Sequence, residues 1–433
     1  MSLLRGIILS LLVSGQFYLG LAQNAETPVQ CNGIENCTPA APKSSFCYNV
    51  GFEGGYKCIL KNFHIGESQH VTTEFFADHE GPGEVVTLQI ENSTIYRIPK
   101  VLFSVYPKLT RLNLTALQIR AFERGAFERG KELRELQLDY NNITHLESDA
   151  FEGLRWLDLL TIEDNALSHL PVDVFASNTR LMIVSMSKNN LSRIEDNTFR
   201  NNRVLRVVHV SKNRIEHFDL SQLLEAFEID VSYNRLAELK VPPRLNSLEA
   251  SHNRINAVLS NGQNRLLRKM NLSHNKLTDI SWASMFAALN ELDLGYNEIE
   301  QIKQDQFTAQ LRLYRLLLNN NRLITFEPAT LFLSPLRVLD LSYNRLTSVD
   351  RSNLLFDRLY VLHLHNNAIV KLQLTRNNNL QNITLAGNEW DCAKLRRQLR
   401  IIDSNAIFGG DESCKAGYNL VQQLCCKKSG TSQ

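Results

Sequence analysis

Cysteines are the residues in this 433-residue chain whose types and spacing speak first of chemistry. Cys31, Cys37, Cys47 and Cys58 lie near the start and Cys392, Cys414, Cys425 and Cys426 near the end, with none between Cys58 and Cys392. In an oxidising compartment such clusters form disulfides. Zinc is the competing chemistry, but no CxxC or Cys/His ligand spacing supports it. The pattern predicts two bridges at each end around a middle that needs no staples. Adjacent Cys425 and Cys426 are not expected to bond to each other, because a vicinal disulfide strains the peptide between them. Two pairings of the C-terminal set stay open.

Catalytic chemistry finds no footing. There is no GxSxG, HExxH, phosphate-cradling glycine loop or Cys/His nucleophile arrangement, so no enzyme, cofactor or metal centre is expected. Lys and Arg number 47 against 45 Asp and Glu, a net charge of +2, which argues against a nucleic-acid binder driven by bulk charge. With 43% hydrophobic and 21% charged residues, a large core is expected and disorder is not.

The N-terminus reads as an export signal. Arg5, the apolar run from Gly6 to Val13 and its continuation from Phe17 to Leu21 precede Gly20-Leu21-Ala22, a small-x-small cleavage pattern. Residues 1–22 are therefore expected to be a signal peptide. No later segment approaches the roughly 20 apolar residues that cross a bilayer, and the tail 427–433 is polar, so neither a membrane span nor a lipid anchor is expected. Seven Asn-x-Ser/Thr sequons, at Asn36, Asn92, Asn113, Asn142, Asn190, Asn271 and Asn382, fit a secreted glycoprotein.

One motif must position everything between the cysteine clusters. L-x-x-L-x-L-x-x-N-x-L recurs fourteen times, its fourth position running from Leu88, Leu112, Leu136 and Leu160 to Leu362 and Ile383. The sixth and eleventh positions are apolar in every copy, and the ninth is Asn in twelve, from Asn141 to Asn388. This defines an α/β solenoid, a leucine-rich-repeat horseshoe of about fourteen repeats with disulfide-stapled caps. Each repeat is expected to supply a short parallel strand to a concave sheet and to bury positions one, four, six and eleven. The asparagines are expected to satisfy backbone groups inside the bend. Phe103, Phe127, Phe151, Phe175 and Phe199, with Phe307 later, recur in step with the repeat and read as a stacked column inside the convex side. Between Val208 and Leu292 the copies shorten and the column lapses, so a locally altered arc is expected. The predicted organisation is an N-terminal cap over 23–84, a solenoid over 85–391, a C-terminal cap over 392–426 and a polar tail. Residues 393–402 are read as an amphipathic helix in that second cap, with Leu395, Leu399 and Ile402 on one face.

Positions three and five of each strand face the concave side and form the expected binding surface. Leu159, Ile183 and Val207 place three apolar residues there in adjacent repeats. Glu228 and Asp230, Glu249, and Glu291 and Asp293 follow. An apolar patch beside an acidic one is the expected protein-binding site. Asn113, Asn271 and Asn382 share this face, so glycans there would leave repeats three to eight accessible. Arg214, Arg235, Arg254, Lys276, Arg322 and Arg345 recur at position ten as a basic ridge suited to an acidic protein or a sulfated glycan, but alternation with nearby acids favours reading it as a solvated flank. No aromatic interleaving accompanies them, so nucleic acid is not an expected partner. His252 and His274 hold one position in consecutive repeats. Without a third ligand they read as surface histidines.

A signal peptide, capped repeats, and the terminal pattern Trp390-Asp391-Cys392, Cys414, Cys425-Cys426 together resemble the mosquito leucine-rich-repeat immune proteins, a family marked by a double cysteine after the repeats. The resemblance implies a secreted protein of innate immunity circulating in haemolymph. It also implies partners: family members form disulfide-linked dimers and stabilise a complement-like thioester protein against pathogens. The best-known members continue into a long coiled coil, whereas this chain ends seven residues after Cys426. It therefore resembles a coil-less member or a shortened form of a longer one, and coil-mediated dimerisation is not carried over. The even cysteine count predicts pairing within the chain. The competing expectation is a matrix or cell-adhesion protein built on the same solenoid.

Overall fold

Three residues of strand per repeat are too few to stand alone, and stacking is what makes them a structure. A computed structural model describes residues 43–50, 54–76, 81–303, 306–328, 333–349 and 355–428. The expected signal peptide, Cys31, Cys37 and Asn36 lie outside the described residues, as does 429–433. The chain divides into two compact units, Met1–Ser44 and Ser45–Gln433, and the second holds all fourteen motif copies.

Each copy supplies one strand with its fourth-position residue in register with the next. Leu88 pairs with Leu112, Leu160 with Val184, Ile229 with Leu248 and Leu362 with Ile383. A slip of one residue would turn every core side chain to solvent, so the leucine pattern enforces the register. Among the described residues the main sheet holds 17 strands: these fourteen, the edge strand Ser44–Asn49, and two that lie outside the motif. Tyr56–Lys61 opens the parallel stack with Cys58 opposite Leu88 and Leu60 opposite Ile90. Its Phe63 and Ile65, both buried, fill the places of the Asn and the last Leu. At the other end Ile407 pairs with Ile383. Both caps therefore continue the sheet.

After each strand the chain turns through a left-handed residue at position eight, in every copy: Ala116 (φ 60), Tyr233 (φ 53), His252 (φ 54) and His274 (φ 55) are examples. The turn strands backbone groups in the interior, and the asparagine that follows satisfies them. Asn275 Oδ1 accepts from Ile255 N at 2.9 Å, while its Nδ2 donates to Ala250 O and Leu272 O, each at 3.0 Å. The same set recurs from Asn141 to Asn388, except that Asn165 Nδ2 donates within its own repeat to Glu163 O instead. The phenylalanine column is buried with ring centroids 5.5–6.1 Å apart from Phe103 to Phe199, and Phe218 extends it at 6.1 Å. The convex side carries a second amide ladder that the motif does not announce. Asn178 Nδ2 donates to Phe151 O and Leu154 O at 3.1 and 2.9 Å, and Asn202 to Phe175 O and Asn178 O at 3.2 and 2.8 Å. In the short repeats the convex segment straightens into two parallel strands, Glu238–Val241 and Ala257–Ser260.

The C-terminal cap closes the core. Trp390, 1% exposed, donates Nε1 to Leu385 O at 2.9 Å. Asp391 caps the helix Cys392–Leu399, its Oδ1 accepting from Lys394 N at 2.8 Å. The helix is shorter than expected, yet Leu395, Leu399 and Ile402 are all buried. Adjacent residues in a strand face opposite ways, so in Leu424–Lys427 the two cysteines reach different partners: Cys426 bonds Cys392 and Cys425 bonds Cys414. At the N-terminal end Cys47 bonds Cys58.

Asn275→Ala should orphan the buried Ile255 N–H and leave the Ala250 and Leu272 carbonyls with one amide donor each, from Asn253 and Asn297, destabilising the solenoid by roughly 1–3 kcal/mol. Urea denaturation followed by circular dichroism measures this; a loss below about 0.5 kcal/mol, the scale of an ordinary surface substitution, would remove the ladder's structural role.

Candidate protein-binding face

Leu159, Ile183 and Val207 lie on the concave side in register with one another. They are not the exposed patch expected from the sequence. Their exposures are 7%, 3% and 3%, and they stand apart from the continuous solenoid core on the other side of the sheet. Adjacent strands place like positions about 4.8 Å apart, so three branched side chains in a row cover one another's flanks. They form a small second core under the concave surface rather than a sticky face.

Beside them runs a polar ladder built from positions five and seven and ending on Glu228 at position three; position seven is not among the positions expected to bind. Thr161 donates to Asp139 Oδ2 at 2.7 Å, and Asp139 Oδ1 accepts from Glu163 N at 2.7 Å. Ser185 donates to Glu163, and Ser211 donates to Ser187 at 3.1 Å. His209 Nε2 lies 3.1 Å from Glu228 Oε1. Burial lifts the Asp139 carboxyl to about 6, against two hydrogen bonds that favour its charged form, with the charges of Glu163 and Asp164 adding to the rise. The His209–Glu228 bond holds Glu228 below the ordinary range. Burial alone would lower His209, but the same bond and the surrounding carboxylates leave it raised.

The acidic residues chosen from the sequence are all on this face, half-buried, and each has an internal partner. Asp230 accepts from Ser232 Oγ at 2.7 Å, Asn271 Nδ2 donates to Glu249 Oε2 at 3.0 Å, Lys269 lies 3.1 Å from Glu291, and Asp293 accepts from Gly295 N at 2.9 Å. Burial raises Asp293. Glu249, Lys269, Asn271, Glu291, Asp293 and Arg315 rim a shallow depression of about 310 Å³ over the strand backbone at Leu248, Met270 and Leu292, whose side chains turn into the core on the other side of the sheet. Both charge signs surround an open, shallow floor, which suits a protein surface better than a small ligand. Of the sequons, Asn113, Asn271 and Asn382 sit in concave strands as expected. Asn92 and Asn142 are exposed at bends, and Asn190 is half-buried.

The two histidines form part of a larger object. Tyr233, His252, His274 and Tyr296 stack face to face with centroids 4.1, 4.0 and 4.0 Å apart and planes within 12°. They occupy the left-handed eighth position of four consecutive repeats, which aims them along one edge of the concave face. Repeat arithmetic alone identifies the column, but only the ring contacts show it to be continuous. Burial lowers His274, the neighbouring His252 lowers it further, and Asp293 opposes both. Among the described residues no group of three or more His, Cys, Asp or Glu is placed to hold a metal ion.

The architecture and this face define a leucine-rich-repeat interaction scaffold. The "Leucine rich repeat" family model matches residues 107–167, 131–191, 155–215 and 265–323, and a second "Leucine Rich Repeat" model matches 335–355. Among solved structures, the chain is similar to one in the mosquito LRIM1/APL1C complex, at 37% identity and TM-score 0.82 over 86% of this chain and 70% of that one. The mosquito APL1 leucine-rich-repeat domain is 36% identical with TM-score 0.81, over 86% of this chain and 99% of that domain. A chain of the Drosophila Toll–Spätzle complex, at 22% identity and TM-score 0.54, shares the fold alone. No curated protein matches the chain. The chain belongs to the mosquito leucine-rich-repeat immune protein family.

Two measurements check the electrostatics. A carboxyl whose folded pKa is raised supports the fold fully while protonated, below its unfolded value near 3.8, and that support is lost as pH rises through about 6. Asp139→Asn should therefore flatten the fall in stability between about pH 4 and pH 6.5 and leave the variant about 2 kcal/mol more stable at the upper end; an unchanged pH profile contradicts this. His252→Gln should raise the His274 pKa toward the ordinary histidine value, seen by NMR titration of its ring protons. No upward movement would mean the two rings do not sense each other.

Proposed function

We propose that this chain is a secreted, non-catalytic protein of innate immunity that binds another protein through its solenoid. The observation that carries the reading is the 37% identity over 86% of the chain to a member of a complex between two leucine-rich-repeat immune proteins. The partner is a related leucine-rich-repeat protein or a complement-like thioester protein. Contact runs through Glu228, Asp230, Glu249, Glu291 and Asp293, with Leu159, Ile183 and Val207 bracing the strands beneath. Disulfides at both ends and the sequons support an extracellular site of action. No helix among the described residues is long and apolar enough to cross a membrane.

Affinity capture from haemolymph with the full chain, followed by mass spectrometry, tests this. The expected result is recovery of a thioester or leucine-rich-repeat immune protein, reduced tenfold or more by Glu249→Lys with Asp293→Lys, since reversing buried-rim charges costs about 1.4 kcal/mol or more. Recovery of matrix proteins alone would favour an adhesion role instead.

A further inference from the structure

The rim where the chain enters the concave strands carries a different chemistry from the face it borders. In repeats three to six this rim is formed by residues 131–134, 155–158, 179–182 and 203–206, each segment leading into its strand. Lys131, Arg134, Arg155, Arg180, Arg203 and Arg206 are all exposed there, against only Glu132 and Asp158. Among the described residues no ion pair engages Lys131, Arg155, Arg203 or Arg206.

At the centre of this row stands Trp156, 43% exposed. The Arg180 guanidinium lies 4.6 Å from its ring centroid and that of Arg134 5.4 Å. Asp158 ties the same two arginines together at 3.2 and 3.4 Å. Stacking and pairing hold these side chains extended along the rim, so little rotamer freedom remains to be lost on binding. Because the arginines come from repeats three and five, they flank the indole from either side and occupy the space where a nucleobase would stack.

We infer that this entry rim is a binding site for a linear sulfated polysaccharide. Successive repeats advance about 4.8 Å along the solenoid, so the cations form a row rather than a disc, matching a linear polyanion better than a rounded protein surface. Arginine dominates the row, and its planar fork suits tetrahedral oxyanions. The blocked indole faces speak against single-stranded nucleic acid. The opposite flank of the same repeats is unlike this one. It bears Glu195, Asp196 and Glu216, with Arg193 and His217 bound to the first two, and it carries the sequons Asn142 and Asn190. The entry rim of these repeats has no sequon, so it stays clear of glycans. The inference stands apart from protein binding by the concave face.

Heparin is the probe, titrated into the full glycosylated chain by calorimetry at physiological salt. The expected result is saturable binding that weakens steeply as salt rises. A variant with Arg155, Arg203 and Arg206 each changed to Ser should bind at least about tenfold more weakly. An equal loss of charge on the other flank, Arg214, Arg235 and Arg254 to Ser, should leave affinity nearly unchanged. Trp156→Ala, which keeps every rim charge, should weaken binding by a smaller factor through loosened arginines. Absence of binding by the unaltered chain would overturn the inference, as would an equal loss in the two triple variants. Displacement of heparin by desulfated heparin, polyglutamate or DNA as effectively as by heparin itself would overturn it too.

Discussion

Everything in this protein depends on how the chain turns after each strand. Position eight adopts a left-handed conformation in every copy, although most of the residues there carry side chains that disfavour it. The turn leaves interior amides and carbonyls without strand partners, and an unpaired buried polar group costs about 1–3 kcal/mol. The asparagine one residue later bonds both its own repeat and the one before. Each bend is thereby stabilised by its neighbour, and the stack propagates in one register. The leucines supply the driving force for burial, and the amides restrict it to a single geometry.

Three surfaces arise from that register, because a residue's place in the repeat decides its column. Positions three, five and seven make the concave face with its half-buried acids and hydroxyls. Position eight makes the edge where Tyr233, His252, His274 and Tyr296 stack. The segment before each strand makes the arginine rim around Trp156. Columns of like chemistry arise whenever adjacent repeats agree in residue type at one place. They end where the repeats diverge, as the ring column does at Asn320.

Much of this is legible in the residues themselves. The spacing of Leu, Asn and Phe determines the sheet, the core and the buried column. Strand alternation explains why Cys425 and Cys426 part company, though not which partner each takes. What the pattern conceals has a common cause. Periodicity says which side of a strand a residue faces, not how closely its neighbours crowd it. The concave placement of Leu159, Ile183 and Val207 is therefore readable from the repeat, while their burial is not, and the exposed patch expected there is wrong. The strand containing Cys58 departs from the motif at Phe63, which takes the asparagine's place, and Asn178 and Asn202 recur too few times to stand out. Trp156 looks unremarkable in one dimension, since its arginine neighbours come from repeats on either side of it.

The central claim is that the concave acids of repeats seven to ten are the contact surface for a partner protein. Carboxyl footprinting by mass spectrometry, on the chain alone and after capture of its partner from haemolymph, reads that surface directly. The account predicts loss of labelling at Glu228, Asp230, Glu249, Glu291 and Asp293, with the carboxylates of the opposite flank, such as Glu195 and Glu216, still labelled. Unchanged labelling on the concave face, with protection confined to that flank or to the C-terminal cap, would contradict it.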